Sequence, residues 1–281
     1  MTTTVGKAFG NRFRVTAGYR IALGSQRVLV VGIAVLLLLI WEFSVRWLTV
    51  PSYIIPPPTA VVAAFERGLE RGIYWPHAAA TLVAMSGGYA IGTISGIILG
   101  ALVAEFKIVK RIVYPYVVSL QSLPKIALAP LFVMWFGYGL SSKLVMVALI
   151  CFFPLMVNTM TGVLSTDRDR LAMVRTMTAT RWQLFWHVKL PSSAGHIFAG
   201  MQVAVILALI GALVSEFVGS DRGLGNLIQS NQATLDTAGM FAVLAILAGV
   251  GMAATVLVRF IHRKVVYWER GHARHGLGDH G

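Results

Sequence analysis

The sequence is poor in charge and nearly lacks cysteine. Only 12% of its 281 residues are charged, 57% are hydrophobic, and the mean hydropathy is +0.74. A soluble core of this length could not bury so much apolar surface, which excludes a soluble globular protein. The single Cys151 lies in an apolar run and excludes a disulfide framework or a cysteine-based metal cluster. We predict that it packs as a small hydrophobic side chain.

Catalytic and cofactor-binding motifs are absent as well. No GxxxxGK[ST] pattern occurs, so the chain cannot cradle nucleotide phosphates by itself, and the histidines lack the spacing of metal ligands. No Asp or Glu lies in the middle of an apolar run, which argues against a secondary transporter or a membrane enzyme as alternatives. We therefore expect no catalytic residue, no metal and no cofactor in this chain.

Long uncharged runs are what the sequence has in quantity. About 20 helical residues cross a hydrocarbon core near 30 Å thick. We predict an all-α integral membrane protein with six transmembrane helices, at about 27–48, 78–104, 112–136, 144–166, 190–215 and 237–258. Glu42 and Arg46, four residues apart at the end of the first run, are placed to pair. Prolines interrupt the third run, and a broken span is tolerated only where helices or water satisfy its backbone groups.

The basic residues predict the orientation of these spans. Four loops on one side hold 18 of the 24 Lys and Arg residues, so by the positive-inside rule both termini are cytoplasmic. A cytoplasmic segment 1–26 and a cytoplasmic tail 265–281 would then flank a transmembrane domain of residues 27–264. The net charge of +13 is dispersed over these loops, which argues against a nucleic-acid partner. The six other basic residues are Arg46, Arg67, Arg71, Lys125, Lys143 and Arg222.

Two further patterns concern packing. Gly88, Gly92, Gly96 and Gly100 recur at four-residue intervals in the second span, which places them on one helix face where another backbone can approach closely. The longest loop, about 49–77, begins PSYIIPPPT, and we predict a short amphipathic helix from Thr59 to about residue 71 on the outer face.

The loop 167–189, between the fourth and fifth spans, is charged yet patterned as helix. Leu171, Val174 and Met177 form an apolar stripe in its first half. Thr180 and Gln183 have the T-x-x-Q form of a capping box, which predicts a second helix start. Periodicity alone is compatible with two interpretations. The segment is either a surface helix that rests on lipid headgroups or an element on which a soluble partner protein acts.

At this loop the sequence resembles a known family. LAMVRTMTATRWQLFWHVKLPSSAGHIFAG is similar to the cytoplasmic signature loop of ATP-binding-cassette importer permeases, and LQSLPKIALAPLFVMWFGYGLSSK, FFPLMVNTMTGV and SEFVGSDRGLGNLI are similar to the branch that handles nitrate, sulfonates, taurine and thiamine-pyrimidine precursors. The resemblance covers nearly the whole chain. It implies the permease subunit of an ATP-driven importer in the bacterial inner membrane, with hydrolysis in a partner subunit.

The signature itself departs from the family pattern. The family's E-A-A positions fall on Ala172, Met173 and Val174, and its glycine position falls on Thr178, which cannot adopt a positive φ as cheaply as glycine. The resemblance implies that ATPase coupling involves these four positions together with Arg175, Ala179, Arg181, Leu184, Phe185, Leu190 and Pro191. Without the signature carboxylate, docking would rely more on Arg175, Arg181, Leu184 and Phe185.

The resemblance also implies partners and a path. Two ATPase subunits, a second permease subunit and an extracytoplasmic binding protein are expected, and whether the two permeases are identical stays open. Polar residues within the spans are candidates for the path, namely Gln121, Ser122, Lys125, Asn158, Gln202 and Glu216. Lys125 would attract an anionic solute or pair with a neighbouring carbonyl. The PKIALAPL segment favours pyrimidine precursors, riboflavin or aromatic acids over nitrate, sulfonate or taurine as the substrate.

Overall fold

The computed structural model describes residues 28–267 of the chain, and all regular elements in this part are helices. The predicted segment 1–26 and nearly all of the predicted tail 265–281 lie outside the described residues. The helices are α1 (Val28–Trp47), α2 (Pro58–Glu70), α3 (Tyr74–Glu105), α4 (Lys107–Gln121), α5 (Ala129–Phe136), α6 (Leu140–Leu164), α7 (Arg168–Thr176), α8 (Arg181–Leu184), α9 (Leu190–Gly219), α10 (Leu224–Ala233) and α11 (Thr237–Val265).

Five of the described helices are long and apolar enough to cross a membrane, namely α1, α3, α6, α9 and α11. The predicted third span is different. It starts earlier, at α4, and then bends by 88° between Gln121 and Lys125, before a 3₁₀ turn (Lys125–Leu128) leads into α5. Pro124 explains the break, because a proline lacks the N–H that would continue the helix and disfavours helical backbone in the residue before it. The described chain therefore has five candidate spans, or six if the bent pair counts as one.

Helices α3, α6 and α9 pack together as the centre of the described bundle. Met85, Val147, Leu155 and Ala204 from these three helices form one buried cluster. Cys151 belongs to the same cluster and is fully buried, with its thiol 3.3 Å from the carbonyl oxygen of Ala204. The prediction that Cys151 packs as a small core side chain is confirmed.

The glycine stripe of α3 forms the contact with α6. All four glycines are buried. A Cβ at Gly92 would lie 2.5 Å from the carbonyl oxygen of Ala148, and one at Gly100 would lie 2.5 Å from that of Met156. In lipid, where apolar side chains gain little by leaving their surroundings, such close backbone approach is what holds two helices together. The interpretation of the stripe as a packing surface is confirmed.

Charged and polar contacts join the end of α1 to the start of α2. Glu42 accepts a hydrogen bond from Arg46, as the four-residue spacing predicts, and its second carboxylate oxygen accepts from the backbone N–H of Thr59 at 3.1 Å. Thr59 lies in the first turn of α2, where a carboxylate satisfies a free N–H and complements the helix dipole. Pro58 suits this first turn, because its missing N–H would have no partner there.

We predict that Gly96→Ala weakens the α3–α6 contact. An added Cβ would lie 2.7 Å from the carbonyl oxygen of Phe152 and 2.8 Å from Cβ of Leu155, so the helices must separate. Overpacking of this kind costs about 1–3 kcal/mol. Thermal unfolding of the purified protein in detergent should show a lower midpoint. Gly249→Ala in α11 is the matched control, since no atom lies within 4 Å of its added Cβ; an equal shift in both variants would contradict the packing role.

Candidate functional site

The segment 167–189, hereafter the elbow, is a structured helical turn. Asp167 caps the start of α7, and its carboxylate accepts a hydrogen bond from the backbone N–H of Asp169 at 2.9 Å. Thr180 caps the start of α8, and the predicted capping box is present: Gln183 N–H donates to the Thr180 hydroxyl and the Thr180 N–H donates to the Gln183 side chain. Both starts are therefore fixed by side chains close in sequence.

The two halves of the elbow meet at Thr178. Its φ is 60°, in the left-handed region that glycine adopts without a steric penalty. Its N–H donates to the carbonyl of Arg175 at 3.0 Å, which closes the end of α7. The resemblance aligns this position with the glycine of the signature, and in this chain a threonine adopts the left-handed turn at a steric cost.

The elbow continues into α9 without a break. After α8 the residues Phe185–Lys189 form a π-helical turn, and Leu190 and Pro191 start α9, so helical backbone runs from Arg181 to Gly219. Pro191 is tolerated because it lies in the first turn of α9. A displacement of the start of α8 must therefore move the spanning helix with it.

The residues predicted for coupling divide between two faces of the elbow. The exposed face holds Ala172, Met173, Arg175, Thr178 and Arg181. The inward face holds Val174, Ala179 and Phe185, which are half-buried, and Leu184, which is buried. Leu190 and Pro191, at the start of α9, are also half-buried. Leu184 thus anchors α8, while the charged and small side chains on the other face are exposed.

An ion pair ties the elbow to a second spanning helix. Lys189 donates to the carboxylate of Glu105, the last residue of α3, at 2.5 Å. Both side chains are about one-fifth exposed, at 17% and 19%. The elbow is consequently attached covalently to α9 and electrostatically to α3. Glu105 was not predicted from the sequence. The only sequence feature that marks it is an acidic residue at the end of a span, followed by three basic residues.

Three of the predicted path residues lie at the bend of the third span, and one of them makes local contacts there. The ammonium of Lys125 donates to the carbonyl of Gln121 at 3.2 Å and lies 4.8 Å from the ring centroid of Phe153. A cation at the C-terminal end of α4 complements that helix's dipole. The pairing of Lys125 with a neighbouring carbonyl is present, and the attraction of an anionic solute stays a prediction. Gln121 and Ser122 are exposed beside it.

The candidates on α6 and α9 lie deeper. The amide of Asn158 donates to the carbonyl of Pro154 at 2.8 Å, and a Cβ on Gly200 would lie 2.9 Å from Cβ of Asn158, so Asn158 faces α9. Gln202, two residues along α9, is half-buried. The structure therefore does not gather the six predicted path residues at one point.

Glu216 in particular lies inside a buried polar cluster. Its carboxylate accepts from the Thr81 hydroxyl and from the Gly225 N–H, both at 2.8 Å, and lies 3.7 Å from the ammonium of Lys143. Glu216 is 1% exposed and Lys143 is 5% exposed. Lys143, which we counted outside the fourth span, is in fact buried in the first turn of α6, because the Glu216 carboxylate compensates its charge there.

The cluster also fixes the loop between α9 and α10. Lys143 donates to the carbonyl of Arg222 at 2.8 Å, and the Leu224 N–H donates to the Thr81 hydroxyl at 2.8 Å. A Cβ on Gly223, whose φ is 147°, would lie 2.1 Å from the Glu216 carboxyl carbon. Four helices, α3, α6, α9 and α10, are thus joined by polar contacts at the end of the bundle opposite the elbow.

Long apolar helices, a broken span and a charged elbow continuous with a span define a multi-pass membrane protein of the transport class. Residues 92–267 match the family described as "Binding-protein-dependent transport system inner membrane component", and the chain belongs to this family. It is the permease component of an ATP-driven importer, in which an ATPase and a substrate-binding protein are separate partners.

Relatives agree with this assignment. The formylaminopyrimidine transport permease protein ThiX of Halalkalibacterium halodurans is 37% identical over 84% of this chain and 93% of its own length. The riboflavin transport system permease protein RibX of Chloroflexus aurantiacus is 36% identical over 83% and 87%. The taurine transport system permease protein TauC of Escherichia coli is 28% identical over 89% and 93%. The resemblance stated from the signature motifs is confirmed.

The buried ion pair predicts a non-additive mutational pattern. Glu216→Gln or Lys143→Met alone leaves one buried charge uncompensated, and such a change costs about 3–5 kcal/mol. The double variant removes both charges and should be clearly more stable than the sum of the single effects predicts. Thermal unfolding of all four proteins in one detergent measures this; additive losses would show that the two charges do not interact.

The left-handed turn predicts a stabilising substitution. Thr178→Gly removes the clash of a side chain at positive φ and should raise the unfolding free energy of the elbow by about 1 kcal/mol. Limited proteolysis at the elbow reports this locally. Thr176→Gly, at the last residue of α7, is the matched control and should accelerate cleavage, because glycine weakens a helix. Faster cleavage of Thr178→Gly than of the unmodified chain would contradict the strain.

Proposed function

We propose that the elbow is the coupling element on which the partner ATPase acts, and that its exposed face, with Arg175 and Arg181, lies in a groove of that ATPase. The single observation that supports this most is the uninterrupted helix from Arg181 to Gly219. Because this helix has no flexible joint, a rotation of the elbow is transmitted to the span. A loop that only rested on headgroups would not need this connection.

The Glu105–Lys189 pair extends the proposal to α3. When the ATPase subunits close around ATP, the elbow moves with them and draws both α9 and the inner end of α3 along. ATP shifts the inward and outward populations only through its different affinity for the two states, and the elbow transmits this difference. About one-fifth of each side chain in this ion pair is exposed, and this suits the joint, since water can solvate the two charges when they separate.

The proposed topology follows from the same elements. We infer six spans, with the bent α4–α5 pair as the third, both termini and the elbow on the cytoplasmic side, and α2 and α10 on the outer side of the bacterial inner membrane. Two permease subunits, two ATPase subunits and one extracytoplasmic binding protein form the working assembly. The concentration of Lys and Arg on the elbow side supports this orientation.

For the solute we propose a small polar organic molecule that passes the bend between α4 and α5. Gln121, Ser122 and Lys125 would line this bend. Asn158 on α6 and Gln202 on α9 lie farther along the proposed path. Glu216 is assigned to the buried polar cluster on the proposed outer side and not to the path. The formylaminopyrimidine and riboflavin permeases are more similar to this chain than the taurine permease is, which favours a heterocyclic solute over a sulfonate. The carbonyl contact of Lys125 agrees, because it takes up part of the ammonium's hydrogen-bonding capacity.

We predict that Arg181→Glu abolishes stimulated ATP hydrolysis without affecting membrane insertion. Reversing the charge on the exposed face places like charges against the ATPase in place of an attraction. The measurement is ATP turnover in proteoliposomes that hold the permease, the ATPase and the liganded binding protein of the same transport system. Arg71→Glu, just after α2 on the proposed outer side, is the matched control and should insert and couple normally.

Unchanged stimulation in Arg181→Glu would count against coupling through this face. The topology is checked separately, in inverted membrane vesicles and intact cells, by a cysteine placed at the exposed Met173, since Cys151 is buried and should react little. A membrane-impermeant maleimide should label Met173→Cys only in inverted vesicles. Labelling from the outside of intact cells would overturn the proposed orientation.

A further inference from the structure

Lys125 places a cation deep inside the membrane-spanning bundle. Its ammonium lies 4.8 Å from the ring centroid of Phe153. Phe153 is buried and stands next to the middle residue of the spanning helix α6, which runs from Leu140 to Leu164. The ammonium of Lys125 therefore lies near half the depth of the membrane. Lys143, by contrast, is in the first turn of the same helix.

The charge of Lys125 has no counter-charge in the described chain. None of the ion pairs found among residues 28–267 includes Lys125. It contacts two neutral groups, the carbonyl of Gln121 and the ring of Phe153, which hold the ammonium in place without cancelling its charge. The end of α4 and the start of the segment Lys125–Phe136 meet here, and the opposite partial charges of these two helix ends offset each other. One full positive charge therefore remains at the bend.

An uncompensated charge at this depth cannot face lipid. Charged groups within spans pair with one another, point into the bundle or border water, because hydrocarbon does not solvate them. From the middle of a core about 30 Å thick, a lysine side chain is too short to reach the headgroups. Non-helical backbone at this depth is likewise tolerated only within protein or beside water. The exposure of Gln121 and Ser122 beside Lys125 favours water over buried protein.

We propose that Lys125 determines the charge class of the solute. Its fixed positive charge repels cations from the path, so the importer admits neutral and anionic molecules and rejects amines and quaternary ammonium compounds. This role of Lys125 rests on the proposed path through the bend. It requires no hydrogen bond to the solute, because the field of a charge acts over several ångströms and the contact with the Gln121 carbonyl leaves that field intact. Positive groups that line a pore exclude cations in the same way.

A cysteine beside Lys125 measures the potential at the bend. Ser122 is exposed, and its hydroxyl donates to the carbonyl of Ser119 in its own helix, so Ser122→Cys is a small change. The full chain is placed with its ATPase in lipid nanodiscs, where reagents reach both faces, with and without ATP. The rates of thiol modification by anionic sulfonatoethyl methanethiosulfonate and by cationic trimethylammonioethyl methanethiosulfonate are then compared. We expect Lys125→Met to lower the ratio of the anionic to the cationic rate about tenfold, since losing the charge slows one reagent and speeds the other.

Three controls isolate the effect of the charge. Lys125→Arg keeps the positive charge and changes the shape of the side chain, so the rate ratio at Ser122→Cys should stay close to that of the chain with lysine. Ser230→Cys, exposed on α10, is the matched thiol control. Water and salt screen charges that are more than about 10 Å apart, so Lys125→Met should leave the ratio at Ser230→Cys unchanged. The unmodified chain gives the background from the buried Cys151.

Three outcomes would count against Lys125 as the residue that selects charge. No reaction of Ser122→Cys with either reagent would show that the bend does not border water, which would overturn the proposed path together with the role of Lys125. Reaction at a ratio that Lys125→Met leaves unchanged would overturn the role of Lys125 alone, and the path would stand. An equal fall of the ratio in Lys125→Met and Lys125→Arg would also overturn it, because the charge would then not be the cause.

Discussion

Direct backbone contact between α3 and α6 is the constraint on which the rest of the structure depends. In a bilayer, helices gain little from burying apolar side chains, so they must approach closely enough for dispersion between backbones to hold them. The glycines of α3 allow this over three helical turns. Because α3 also carries Thr81 near one end and Glu105 at the other, its position on α6 determines where both polar clusters can form.

The two ion pairs near the ends of α3 differ in their exposure to water. One of them is therefore harder to separate than the other. Glu216 and Lys143 are almost completely buried, so separating them would leave two uncompensated charges in an apolar interior. Glu105 and Lys189 keep contact with water, which takes over when they part. The ion pair at the elbow can therefore separate at a smaller cost than the ion pair at the opposite end of α3.

The features that sequence predicted are local ones. The capping box of Thr180 and Gln183, the pairing of Glu42 with Arg46 and the glycine face of α3 each depend on residues three or four positions apart in a helix, whose geometry is known in advance. The two functional ion pairs join residues 84 and 73 positions apart, and no spacing rule brings such residues together. The prolines of the third span predicted an interruption, but a proline alone does not specify the angle of 88°.

The π-helical turn Phe185–Lys189 has a consequence for the direction in which the elbow points. Each residue of an α-helix advances the azimuth by about 100°, and a π turn holds one residue more than an α turn would. The charged face of α8 is therefore rotated by roughly a quarter of a circle relative to an unbulged continuation of α9. A single inserted or deleted residue in this turn would redirect the face without changing a side chain on it, so the turn determines the direction of Arg181 relative to α9.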